Sequence, residues 1–85
     1  MKICKNFAQA KASAREVPEE FNNRVFVISG VNVDADMYHY YANGYDVYLD
    51  EEYVDRYDSK SYAMEIAQIL VDDPSLVSAL QVHNS

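Results

Sequence analysis

Carboxylates are the one plentiful reactive group in this 85-residue chain, where 14 Asp and Glu stand against seven Lys and Arg, two His and one Cys. Acid–base work by carboxylates needs two acids across a cleft, one with a raised pKa. No pair in the sequence is singled out for that role. Asp34 and Asp36 outline a cation-binding loop only superficially. An EF-hand loop begun at Asp34 places His39 at its sixth position, where glycine is required, and lacks a third carboxylate. A polar loop between strands is the plainer reading. Cys4, His39 and His83 show none of the spacings of a zinc site. Cys4 reads as a small apolar residue, since no histidine stands in a local arrangement that would activate it. His39 reads as an isolated strand histidine, a surface or edge residue rather than a base. The expectation is a protein that is not an enzyme and holds no metal or cofactor.

The acids are more informative as charge than as catalysts. Residues 1–33 carry five basic and three acidic side chains, whereas residues 34–73 carry eleven acids against Arg56 and Lys60. A segment this negative disfavours direct contact with nucleic acid or an anionic membrane and favours basic partners or metal cations. All eight tyrosines fall between Tyr38 and Tyr62. Tyrosine offers rigid contact area at low entropic cost and stacks on arginine. Charge and rings coincide in Tyr45–Asp58, YDVYLDEEYVDRYD, which holds four tyrosines and six acids.

The elements that must position these groups can be read from periodicity. Ile3, Phe7, Ala10, Ala14 and Val17 recur at helical spacing, so a helix is predicted over Lys5–Glu16, ended by Pro18 or followed by a short turn, PEEF. Arg24–Val33 is dense in β-branched residues without clean alternation, which predicts a central strand buried on both sides. Gly30 marks a bulge or a close approach in it. Met37–Asp50 carries Asn43-Gly44 between two β-rich runs, the preferred two-residue hairpin turn. With that turn, Tyr38, Tyr40, Tyr45, Val47 and Leu49 face a core, while His39, Tyr41, Asp46 and Tyr48 face outward. Asp50 is expected to cap one or two helical turns over Glu51–Asp58. The last helices follow: SKSYAMEIAQILVDD, capped by Ser59 or Ser61 with Tyr62, Ile66, Ile69 and Leu70 as its stripe, then a short helix begun by Asp73-Pro74 and docked by Leu76, Val77 and Leu80.

The fold class expected is α+β, one domain over residues 1–85: a three-stranded antiparallel meander with an N-terminal helix and one or two C-terminal helices on one face. No stretch approaches the roughly 18 apolar residues of a membrane span, and the start lacks the run of a signal peptide, so a cytoplasmic protein is expected.

Tyr40–Leu70, YYANGYDVYLDEEYVDRYDSKSYAMEIAQIL, resembles the start of ArdA-type anti-restriction proteins, which open with a Tyr-Asn-Gly turn, an acidic strand end and a helix with acidic flanks. The resemblance covers about a third of the chain. Val47-Tyr48-Leu49 stand where a Gly and a Trp are expected, and the chain is too short for the elongated multi-domain form. At class level the chain resembles the small acidic phage and mobile-element proteins, anti-CRISPR proteins among them, that disarm nucleases by imitating DNA. That resemblance implies an inhibitor occupying a basic, nucleic-acid-binding groove of a nuclease or CRISPR effector. Asp46, Tyr48, Asp50, Glu51, Glu52, Asp55 and Asp58 are the candidate contacts, with Tyr41 and Tyr57 as stacking rings. The acids lie at strand or helix spacings not far from those of phosphates along one DNA strand. A second reading stands beside it: a general interaction module, such as an adaptor, antitoxin-like regulator or accessory subunit, using its tyrosine and apolar surface. Homodimerisation through the hairpin edge belongs to that reading.

Overall fold

The computed structural model describes residues 6–31 and 43–81. Expectations resting on Ile3, Cys4, Asp34, Asp36, Tyr38, His39, Tyr40, Tyr41 and His83 lie outside the described residues.

The elements are α1 (Phe7–Ala12), β1 (Glu19–Phe21), β2 (Val25–Val31), β3 (Asn43–Leu49), β4 (Glu52–Tyr57), α2 (Lys60–Asp72), a 3₁₀ turn (Pro74–Leu76) and α3 (Val77–Gln81). The architecture is α+β. The strands form one antiparallel sheet in the order β1-β2-β3-β4, four strands where three were expected. β2 is internal and buried on both faces, which explains its unbroken apolar run. Val25 and Val27, with Val47, Leu49 and Val54, pack against Ala63, Ile66, Ala67 and Leu70 of α2. Ile28 and Tyr48 pack on the other face against Ala10, with Phe7 and Ala14 beside them. The helices therefore cover both faces of the sheet, not one.

Helix ends follow local hydrogen bonding. The Asn6 side chain accepts the Gln9 amide at 3.0 Å and starts α1. The helix stops at Ala12 rather than at Glu16: the Ser13 and Ala14 amides close its end on the Gln9 and Lys11 carbonyls, and the two amides after them are drawn to the sheet. The Arg15 and Glu16 amides donate to Ser29 Oγ at 3.1 and 2.8 Å, and the Arg15 amide also lies 3.3 Å from the Ser29 carbonyl. This segment takes over the side of β2 beyond the reach of three-residue β1. Ser59 caps α2 by accepting the Tyr62 amide. Asp73 accepts the Ser75 amide and starts the 3₁₀ turn, with Pro74 where a missing N–H costs nothing. Val77 and Leu80 dock against the core, whereas Leu76 is exposed. Within α2 the buried stripe is Ala63, Ile66, Ala67 and Leu70, and Tyr62 and Ile69 point to solvent, contrary to the expected stripe.

The largest departure concerns turns. Asn43 and Gly44 are strand residues of β3, paired with Val31 and Gly30, and Gly44 has no positive φ. Among the described residues the reversals sit instead at Asn22-Asn23 (φ 55° and 58°) and Asp50-Glu51 (φ 52° and 68°). Asp50-Glu51 is a two-residue loop, since Leu49 pairs with Glu52. Two positive φ values fit the right-handed strand twist, as in a type I′ turn. Asp50 caps no helix, and Glu52–Tyr57 is a strand.

A β-branched-free but non-glycine residue at φ 68° carries backbone strain, and Glu51 is exposed. Glu51→Gly is expected to raise stability by about 0.5–1 kcal/mol, the relief of a left-handed conformation less glycine's greater unfolded-state entropy. Thermal unfolding checks this; an unchanged or lower midpoint would contradict it.

Candidate functional site

The segment 50–58 runs through the β3–β4 turn and along β4, an end strand of the described sheet. Its carboxylates divide by environment. Glu51, Glu52 and Asp58 are exposed and Asp55 is half-buried. None of the four belongs to an ion pair among the described residues. Asp55 Oδ1 accepts the neighbouring Arg56 amide at 2.7 Å. Glu52 and Asp55 stand opposite Leu49 and Val47, two residues apart on β3, so they lie about 7 Å apart along the sheet, a little wider than the 5–6 Å of a helix face.

Other candidates are not on this surface. Asp46 and Tyr48 are buried in the sheet, so the outward placement expected for both is corrected. Alternation does put them opposite Val47 and Leu49, but α1 covers that second face. Tyr48 sits edge-on between Phe7 (centroids 5.4 Å apart) and Tyr53 (5.7 Å). Asp50 is exposed yet engaged: Arg24 Nε and Nη2 donate to its two oxygens at 2.9 and 2.7 Å. Arg24, through that hydrogen bond and its charge, holds the Asp50 carboxyl below its ordinary range. Tyr57 is half-buried against the core, edge-on to Tyr62 at 5.2 Å, with its hydroxyl buried and unbonded. Tyr41 lies outside the described residues.

Little in the sequence points to the residue that organises this region, Arg56. Its Nε and Nη2 donate to Asp46 Oδ1 and Oδ2 at 2.7 and 3.0 Å. The two side chains are only 12% and 2% exposed. Hydrogen bonding to Asp46 raises the Arg56 pKa further. Arg56 lies across Gly30 and Gly44, which face each other in β2 and β3. A Cβ on Gly44 would sit 2.6 Å from Arg56 Cδ, and one on Gly30 would sit 2.7 Å from Nη2 and 2.8 Å from Asp46 Oδ2. The chain has only two glycines, and both form this seat. Gly30 is thus a close approach, as expected, and Gly44 is one too. A lone arginine in an acidic run, with both glycines set in β-rich segments, was the available signal.

A second ion cluster sits elsewhere. Lys60 Nζ lies 3.1 Å from Glu16 and 3.6 Å from Glu19, and Tyr45 donates to Glu16 at 3.3 Å. The Lys60 hydrogen bond and charge hold the Glu16 carboxyl below its ordinary range. These contacts neutralise acids of the α1–β1 connection and leave those of 51–58 uncompensated.

Burial pushes Tyr53 up to about 12, helped by the charges of Asp46 and Asp55. Burial likewise pushes Tyr57 up to about 12, helped by Asp55 and Tyr62. A raised folded pKa gives a stabilising contribution that is whole below the ordinary tyrosine value of 10 and is lost as pH rises from there toward 12. The urea midpoint is therefore expected to fall across that window, with late phenolate absorbance at 295 nm. All eight tyrosines ionising together near 10 would contradict it.

Among the described residues no helix is long and apolar enough to cross a membrane, and no three His, Cys, Asp or Glu side chains converge. Comparison with protein-family models, with curated proteins and with solved structures finds no match to this chain.

Proposed function

We propose that this chain is a non-enzymatic inhibitor whose β3–β4 turn and β4 strand dock on a basic, nucleic-acid-binding groove of another protein, of the kind found in nucleases and CRISPR effectors. One observation carries the reading. The only cation of the segment, Arg56, is turned inward onto Asp46, so Glu51, Glu52, Asp55 and Asp58 face a partner with no counter-charge of their own. The about 7 Å between Glu52 and Asp55 is wider than the 3.4 Å axial repeat of phosphates on one DNA strand. The contact is a short negative ridge met by long Lys and Arg side chains. Buried Asp46 and Tyr48 serve it as scaffold.

The test begins with crosslinking pull-down from the native host and measures affinity for the captured protein. Reversal of Glu51, Glu52, Asp55 and Asp58 to Lys is expected to cost about a hundredfold or more, because each change sets like charges face to face. Binding by the unaltered chain should weaken steeply between low and moderate salt. Glu20→Lys, in β1 across the sheet, serves as control. Reversal that leaves binding intact, or a captured protein whose nucleic acid is not displaced, would sink the reading.

A further inference from the structure

The outer face of α2 carries a row the core does not use. Tyr62, Glu65, Ile69 and Asp72 follow one another at intervals of three, four and three residues, so they are surface neighbours along a single line. Tyr62 is 51% and Ile69 45% exposed, and Leu76, 38% exposed, follows in the 3₁₀ turn. Glu65 and Asp72 are exposed and belong to no ion pair among the described residues. Asp72 has only a 3.5 Å contact from Gln68 Nε2. Tyr62 is already oriented by its edge-on contact with Tyr57, so little freedom is lost when it is covered.

Apolar and acidic positions thus alternate about every half-heptad. We propose that this row is a second docking surface, and that its occupant is an amphipathic helix of a partner carrying Lys or Arg between apolar residues. Charge decides among occupants. Two copies of this chain packed antiparallel with Ile69 on Ile69 would set Glu65 of one against the Asp72-Asp73 end of the other. Packed parallel, they would set each acid against its own counterpart. Either arrangement opposes like charges across an apolar contact. A basic helix places cations on Glu65 and Asp72 while its apolar residues cover Tyr62 and Ile69. This surface is independent of the β4 reading, since α2 lies on the sheet face and its acids are not those of 51–58.

Selection with the full chain from a displayed library of helical 18-residue peptides tests the proposal. Recovered peptides are expected to interleave Lys or Arg with apolar residues at three- and four-residue intervals. Ile69→Gln is expected to weaken a recovered peptide about tenfold. Glu65→Lys with Asp72→Lys, both at exposed positions that leave the fold intact by circular dichroism, should exchange the preference for basic peptides with one for acidic peptides. The proposal is overturned if recovered peptides show no basic enrichment or the charge exchange leaves preference unchanged. It is also overturned if binding is lost with Glu51→Lys and Asp58→Lys instead, which would assign the peptides to β4. Sedimentation showing a dimer that Ile69→Gln dissolves would make the occupant a second copy and overturn it as well.

Discussion

Asp46→Ala is expected to destabilise the fold by about 3–5 kcal/mol, the usual cost of breaking a buried ion pair by removing one member. Arg56 cannot relocate cheaply. Its stem lies in the trough over Gly30 and Gly44, and its fork is matched to both oxygens of Asp46. A guanidinium is not neutralised at accessible pH, so removal of Asp46 leaves a fixed charge in a poorly solvated place. Asp46→Ala combined with Arg56→Met should recover most of the loss, since methionine fills the trough without charge. Gly44→Ala, which sets a methyl 2.6 Å from Arg56 Cδ, should cost about 1–3 kcal/mol by overpacking. Urea unfolding of the unaltered protein, Asp46→Ala, Arg56→Met and the double variant closes the cycle, with Gly44→Ala measured beside it. A cost for Asp46→Ala under about 1 kcal/mol, or a double variant no better than the single, would show that the pair is not structural.

Tyr48→Ala is expected to cost about 3–5 kcal/mol, the range for removing a buried ring. Tyr48 is fully buried and joins the two parts of its cluster: Phe7 of α1 on one side and Tyr53 of β4 on the other. Without it α1 keeps Phe7–Phe26 and Ala10–Ile28 contacts but loses its link to β4. A helix of six residues has little stability of its own. Amide hydrogen exchange of α1 should therefore rise more than that of α2. A loss below about 1 kcal/mol, with partner binding abolished, would return Tyr48 to the surface role its outward alternation suggested.

Both variants concern residues that the sequence placed on the binding face, and the reason is instructive. Alternation assigns β3 residues correctly to two faces, Tyr45, Val47 and Leu49 against Asp46 and Tyr48. It does not say whether the second face meets water. That depends on α1, whose docking is a long-range event. β4 was hidden for another reason. Tyr48 pairs with Tyr53 but Val47 pairs with Asp55, so Val54 is an extra residue, a β-bulge. The bulge breaks the two-residue period, and Glu51–Asp58 then fits a helical template instead. The Asn-Gly signal misled because a glycine can be needed for space as well as for positive φ, and Arg56 needs the space.

By itself the sequence determined β2 and β3 as strands, α2 with a serine cap at Ser59 or Ser61, the break at Asp73-Pro74 and the one-sided charge of the second half. These rest on propensity, capping and composition, which act over a few residues. The tertiary structure alone decided that the sheet is covered on both faces, that Arg56 turns inward onto Asp46 over paired glycines, and that Glu51, Glu52, Asp55 and Asp58 are left as the acidic ridge. Each of those depends on which strands lie side by side, and sheet pairing joins residues that local periodicity cannot relate.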